Sequence, residues 1–367
     1  MRIAIDASRT TLERITGTEH YARELIRHLI RLNDQLPQPH QLILYFRDAP
    51  QPATFPPSAH VIQRVIPLRR LWTHLGFAYG LLRDRPDVVW VPAHTLPFVF
   101  VGKSVVTVHD LGYRHFPQTH AWSQWLLLEA YTRFSAWRAT RVLADSHATA
   151  RDLTRFYGTP TAKIEVVYPG VTVPPVEHDL ASVRQKYHLP DHYWLFIGTL
   201  QPRKNIKRLV SAYHHWRANH PNAPIALVLA GGKGWKYDES WTKGASDVHL
   251  IGYIDEADKG ALIQGAVALV FPSLYEGFGF PIVEAMALGT PVICSNTSSL
   301  PELGGNATLL VDPHVVGHIA NAMRRLTHDV PLRAQLVQAG YAQAQQFNWE
   351  RSAQQILQAL VKVGQDA

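Results

Sequence analysis

The chain has one cysteine among its 367 residues, Cys294. A single thiol excludes an intrachain disulfide and a cysteine metal cluster. It lies in the strand-like run Pro291-Val292-Ile293-Cys294 and reads as a small core residue. No apolar run reaches the ~20 residues that span a bilayer. The N-terminal Met1-Arg2-Ile3-Ala4-Ile5-Asp6 reads as a first strand and not as a signal peptide, so a cytoplasmic location is expected. Several motifs are missing too. No Gly-x-Gly-x-x-Gly follows the first strand, which removes the dinucleotide dehydrogenase fingerprint, and there is no Walker loop. Without Gly-x-Ser-x-Gly there is no nucleophile elbow for a Ser-His-Asp hydrolase. No aspartate pair with metal-ligand spacing stands out. No zinc finger, RNP sequence or basic low-complexity arm points to nucleic acid.

What is present is a globular composition, 46% hydrophobic and 18% charged, in a chain long enough for two domains. The net charge of +7 is uneven. Residues 1–175 hold 20 Lys and Arg against 13 Asp and Glu, and the remainder holds 16 against 16. Solvated arginines on helix faces account for such an excess. The same excess also suits an acidic partner, such as a lipid phosphate or an anionic membrane surface. The stretch Arg64–Arg85 mixes Arg69, Arg70 and Arg83 with Leu71, Trp72, Leu75, Phe77, Leu81 and Leu82. It reads first as a core-facing helix and second as an interfacial one.

Short β-rich runs alternate with helical patterns throughout. Val105–His109 and Arg141–Ala144 are strands of the first half, and Trp194–Gly198, Ala226–Ala230 and Ala268–Phe271 are strands of the second. Trp72–Leu82 and Pro281–Leu288 are among the helices. Such alternation predicts an α/β fold of two doubly wound parallel sheets, with ligands at the carboxyl ends of the strands. The expected division is a first domain over 1–172, a linker over 173–190 around Pro174-Pro175, a second domain over 191–349, and a final helix over 350–367.

The most informative run is Glu276-Gly277-Phe278-Gly279-Phe280-Pro281-Ile282-Val283-Glu284, between a buried strand and a helix. Gly277 and Gly279 let backbone approach a ligand closely. Pro281 fits the first helical position, where its missing N–H costs nothing. The preceding amides then point outward from a positive helix end, which suits phosphate or sugar hydroxyls. Glu276 and Glu284 add acceptor oxygens on either side, which suits a ligand with an anionic middle and hydroxyl-rich ends, the shape of a nucleotide sugar. A second run, Gly198-Thr199-Leu200-Gln201-Pro202-Arg203-Lys204-Asn205-Ile206, puts a planar cation and a compact one at a strand's carboxyl end. In the first half, His109 ends a buried strand, with Asp110 as a turn cap beside it. Gly17 sits in a first βα loop where amides could meet phosphate, and Ser146 of Asp145-Ser146-His147 reads as a helix cap.

These two runs, extended by Phe271-Pro272-Ser273-Leu274-Tyr275, Gly289-Thr290-Pro291-Val292 and Leu300-Pro301-Glu302, resemble the retaining glycosyltransferases of family GT4. The likeness spans nearly the whole chain and is stronger in the second half. Val108-His109-Asp110 is similar to the mannosyltransferase-type members. The resemblance implies a GT-B fold, two Rossmann-like domains facing a cleft that closes on the donor, with 1–172 on the acceptor side, 191–349 binding the donor and the helix 350–367 packing back on the first domain. It implies that Glu284 holds ribose hydroxyls and that Arg203 and Lys204 neutralise the leaving diphosphate. Glu276 would face the transferred sugar, and the amides of Gly277, Phe278, Gly279 and Phe280 would bind sugar and phosphate. Gly198 and Thr199 belong to the same donor-binding set. His109 would lie near the donor sugar, and Gly17 would touch phosphate. Many relatives carry a second glycine where this chain has Glu19-His20, so the Glu19 carboxylate must turn away.

The implied activity is transfer of a hexose, mannose among the candidates, from a GDP- or UDP-sugar to a glycan or lipid-linked saccharide. No cofactor and no metal ion are expected. Partners are the donor, the acceptor and, through the basic first half, the inner membrane face; nucleic acid is not among them. A nucleotide-sugar epimerase or hydrolase on the same scaffold, or a non-catalytic nucleotide-sugar binder, are the alternatives.

Overall fold

A computed structural model describes residues 1–12, 17–119, 121–242 and 247–366. The chain divides into two compact units, Met1–Gly170 with Asn348–Ala367, and Val171–Phe347.

The first unit is built on a seven-stranded sheet of β1 (Arg2–Asp6), β2 (Gln41–Phe46), β3 (Val61–Val65), β4 (Val88–Val91), β5 (Ser104–Val108), β6 (Arg141–Ala144) and β7 (Ile164–Val166). The order is β3-β2-β1-β4-β5-β6-β7, and every pairing is parallel. Helices cover both faces, so the central strands are apolar on both sides: Ile3, Ala4 and Ile5, and Val88 to Val91, are buried. The helix Gly17–Asp34 turns Tyr21, Leu25, Ile26, Leu29 and Ile30 inward at helical spacing. The last helix, Trp349–Gln365, packs against it.

The second unit holds β8 (His192–Ile197), β9 (Ile225–Ala230), β10 (Val248–Gly252), β11 (Ala268–Phe271), β12 (Val292–Ser295) and β13 (Thr308–Val311). Its order is β10-β9-β8-β11-β12-β13, again all parallel. In β8 the run Tyr193-Trp194-Leu195-Phe196-Ile197 is buried throughout. The chain winds one way from β8 to β10, then crosses back to lay β11 on the other side of β8. That reversal leaves a crevice at the carboxyl ends of β8 and β11, where doubly wound sheets bind ligands. Cys294 is fully buried in β12.

Two elements differ from the sequence expectation. The segment expected as a linker carries a helix, Leu180–Tyr187, capped by the Asp179 side chain, which accepts from the Ser182 N–H at 2.7 Å. Its single fully buried residue, Val183, gives too little apolar periodicity to read beside Pro174-Pro175. The helix expected over Trp72–Leu82 begins with a π-turn, Thr73–Phe77, and continues as Ala78–Asp84.

At the carboxyl ends of β8 and β9 two backbones nearly touch. Gly231 has φ +143°, and a Cβ there would sit 2.1 Å from the Gly198 carbonyl oxygen. Gly231→Ala therefore combines a disfavoured conformation with a backbone collision. A loss of about 1–3 kcal/mol in denaturant unfolding is expected, with a larger loss of function than of stability because Gly198 opens the loop that carries Arg203 and Lys204.

Candidate active site

The two runs singled out in the second half meet at this crevice. Gly198 follows β8 and the loop turns through Pro202–Lys204 to the helix Ile206–Ala218. Asn205, at φ +63°, ends the turn. Its buried side chain donates to the Pro272 carbonyl at 3.0 Å and the Pro313 carbonyl at 2.7 Å. The Leu274 N–H donates to the Arg203 carbonyl at 2.9 Å. These bonds stitch the loop after β8 to the loop after β11.

Glu276 is held between the two cations. Arg203 Nη1 donates to its Oε2 at 2.7 Å, and Lys204 Nζ donates to its Oε1 at 2.7 Å. Arg203 also donates to the Tyr275 carbonyl, and the Lys204 ammonium stands 4.8 Å from the centre of the Phe271 ring. Burial pushes the Glu276 carboxyl up, but Arg203 and Lys204 more than offset this and hold it at about 2. Both oxygens are occupied and the group is a weak base.

The glycine loop is shaped from behind. The Ser299 hydroxyl donates to the Glu276 and Phe278 carbonyls at 3.0 and 2.5 Å. Across a planar trans peptide the next N–H points the opposite way, so the amides of Gly277 and Gly279 face away from Ser299. Neither has a hydrogen-bond partner among the described residues. The helix runs Phe280–Ala287 with Gly279 as its N-cap at φ +143°. Pro281 is thus its second residue, one place further in than expected, and still within the turn whose N–H groups are unused.

Glu284 lies one turn inside this helix and is buried. Lys259, from the helix Glu256–Gln264, donates to its Oε1 at 2.6 Å. Its Oε2 is buried with no partner among the described residues. Burial raises the Glu284 carboxyl above the usual glutamate value, against the pull of Lys259. An unsatisfied buried acceptor on a cation-paired carboxylate is fitted to a ligand hydroxyl.

In the first unit, His109 stands just beyond β5. Nδ1 faces Asp145 Oδ2 at 2.7 Å and Nε2 faces the Pro92 carbonyl at 2.8 Å. Two acceptors require hydrogen on both ring nitrogens. Burial pulls the imidazolium down, but Asp145, with Asp110 and Pro92, raises it above the ordinary histidine value. With both ring nitrogens engaged, His109 has no free nitrogen for general-base work. Tyr21 packs edge-on at 4.8 Å and His94 at 5.5 Å between ring centres. Burial, then His109, draws His94 down, and it stays neutral. Asp110 accepts from the Gly112 N–H at 2.7 Å and Ser146 from the Thr149 N–H at 3.1 Å, the capping roles expected of both. Gly17 opens its helix and is exposed; Thr16 before it lies outside the described residues. The Glu19 carboxylate turns to Arg9 at 3.2 Å.

Sequence reasoning missed Lys259, Asp145 and the anchoring role of Asn205. Asn205 and Asp145 stand in runs read for other residues. Lys259 is a lone lysine in an ordinary helical pattern, with no local signal.

Solved structures share this architecture. Sucrose-phosphate synthase from Thermosynechococcus elongatus superposes with a TM-score of 0.73 at 22% identity, covering 99% of this chain and 98% of that one. HepE of Anabaena, solved with UDP and glucose, gives 0.72 at 17%, covering 99% and 100%. The fold is that of the GT-B glycosyltransferases. The model for glycosyl transferases group 1 matches residues 182–343, and that for glycosyltransferase family 4 matches residues 15–173. O-antigen chain mannosyltransferase B of Escherichia coli is 33% identical over 307 residues, 80% of this chain and 77% of that protein. The chain belongs to the family 4 glycosyltransferases.

Two predictions follow from the ion pairs. Because the folded Glu276 carboxyl is depressed, its contribution to stability is present above the ordinary value of 4.5 and lost as pH falls to about 2. Glu276→Gln should cost about 3 kcal/mol at neutral pH, and thermal melts should show that gap closing between pH 4.5 and 2. In Asp145→Asn the imidazolium loses its counter-charge while burial remains, so the His109 pKa followed by NMR should fall.

Proposed function

We propose that the second unit binds a nucleoside diphosphate sugar across the ends of β8 and β11, and that the enzyme moves its hexose to a saccharide hydroxyl with retained configuration and without a metal ion. The observation that carries this reading is the Arg203–Glu276–Lys204 triad beside a buried carboxylate, Glu284, with one unsatisfied oxygen. Arg203 and Lys204 take the diphosphate oxygens, and the Gly277 and Gly279 amides add uncharged donors at the same helix start. Glu284 Oε2 accepts from a ribose hydroxyl. Glu276, locked in place, positions the cations and presents its edge to the sugar.

The low basicity of Glu276 bears on the chemistry. A carboxylate held at about 2 with both oxygens bonded is a poor nucleophile and a poor base, which disfavours a glycosyl-enzyme intermediate on it. In the step proposed, the bond from the anomeric carbon to the phosphate oxygen breaks as the acceptor oxygen bonds to the same face. The acceptor proton passes to the departing phosphate oxygen. Charge then builds on the diphosphate, where preorganised cations and amides stabilise it without reorganising. In the first unit, the His109–Asp145 pair is assigned to the transferred sugar.

The relative from Escherichia coli is a mannosyltransferase, and this supports mannose as the hexose and a lipid-linked or free glycan as acceptor; GDP is then the nucleotide. A thermal-shift series with GDP, UDP and ADP should show one diphosphate raising the melting temperature well above the others, since only a specific ligand stabilises in proportion to occupancy. Arg203→Ala and Lys204→Ala should each lower turnover by about 10²–10³ with the fold intact by circular dichroism. Near-normal rates in both would overturn the reading. Release of free sugar at equal rates with and without acceptor would make the protein a hydrolase.

A further inference from the structure

The first unit carries a helix that is apolar on both of its faces. Between Thr73 and Asp84, Phe77, Ala78 and Leu81 are buried in the core. On the other side, Leu75 keeps 56% of its surface in water, and Tyr79 and Leu82 keep 62% each. These three recur at i, i+4 and i+7 and form one stripe. A helix wet on one side has no stability reason to keep that side apolar, and isolated exposed leucines do not align in this way.

The stripe does not end with the helix. His74 stacks on Phe98 at 4.3 Å, and both rings lie within 5.5 Å of Tyr131 on the helix Trp122–Arg138. That second helix exposes Leu127 and, at 76% of its surface, Trp122. Val99 and Val101, on the connection between them, are exposed as well. Among the described residues, no element of the chain covers this face.

Charge identifies what meets it. Arg69, Arg70 and Arg85 bracket the striped helix, exposed and without a carboxylate paired to them among the described residues. The one acidic residue of the stretch from Arg64 to Arg85 is Asp84, which is turned inward. Its bond from Arg83 comes first, then opposing burial, then the Tyr45 hydroxyl, and together they hold it at about 2. A second copy of the chain would bring like charges together on this face. An anionic bilayer would meet both components, with apolar side chains in the acyl boundary and guanidinium groups at the phosphates. We propose that the stripe Leu75, Tyr79 and Leu82, with Val99, Val101 and Trp122 beside it, is a docking face for an anionic membrane surface. The inference rests on the glycosyltransferase reading only in naming where a lipid-linked acceptor would be reached.

The test is co-sedimentation with phosphatidylcholine vesicles, with and without about one-third phosphatidylglycerol. The full chain should sediment with the anionic vesicles only, and less as salt rises. Leu75→Glu/Leu82→Glu and, separately, Arg69→Gln/Arg70→Gln should each weaken binding about tenfold or more. Quenching of tryptophan fluorescence by brominated acyl chains should diminish in Trp122→Phe. Nucleotide thermal shifts should be unchanged in all of these variants, which confirms that they fold and separates failure of docking from failure of the donor reading. Equal sedimentation of wild type and variants, no sedimentation, or light scattering showing a wild-type dimer that Leu75→Glu/Leu82→Glu dissolves would each overturn the proposal.

Discussion

The second unit is organised around one buried carboxylate. Glu276 satisfies two cations that would otherwise stand together at the end of β8, and they in turn keep it ionised where burial would protonate it. Removing either side leaves charge without its counter-charge in a poorly solvated place, which is more costly than never having built the pair. The surrounding bonds make sense on that footing. Asn205 ties the cationic loop to the end of β11 and Ser299 fixes the carbonyls behind Glu276. The sheet order puts β8 beside β11. Each of these contributes a fraction of the geometry, and the ion triad is where the fractions meet.

Much of this was legible in residue order. The strands announce themselves as apolar runs because a doubly wound sheet is covered on both faces, and β6 and β11 fall on the residues expected from pattern alone. The glycine-rich run and the Arg-Lys pair could be placed at strand ends from the same reading. Their contact could not. Adjacency of β8 and β11 follows from a crossover that no local window contains, and the Arg203–Glu276 bond joins residues 73 apart. Lys259 was invisible for the same reason, since its meaning lies wholly in Glu284 on another helix. Asp145 was read for its neighbour Ser146, which does cap a helix. The carboxylate's own partner, His109, enters from a different strand. The helix Leu180–Tyr187 was hidden by composition, being mostly wet and preceded by two prolines.

The two polar centres handle charge in opposite ways. In the second unit, two cations face one strongly acidic carboxylate, so positive charge is in excess and an anion is the natural ligand. In the first unit, one carboxylate supports one imidazolium with both ring nitrogens engaged. That pair is locally neutral and rigid. It suits orientation of an uncharged group more than neutralisation of a charged one, which is consistent with assigning it to the sugar and not to the phosphates.

Glu276 also limits the chemistry that the site can support. A site that used it as a nucleophile would need the carboxylate released from both cations at the moment those cations are most needed by the leaving group. With one oxygen bonded to Arg203 and the other to Lys204, the two demands compete for the same hydrogen bonds. The arrangement resolves the conflict by keeping Glu276 as a fixed counter-charge, so the cations are already aligned before any ligand arrives. Preorganisation of this kind is most effective where charge develops late and water is absent. In the reaction proposed, it would place the rate advantage on departure of the phosphate and leave the entering hydroxyl to be selected elsewhere in the chain. The uneven distribution of arginine and exposed leucine toward the first half fits that division of labour.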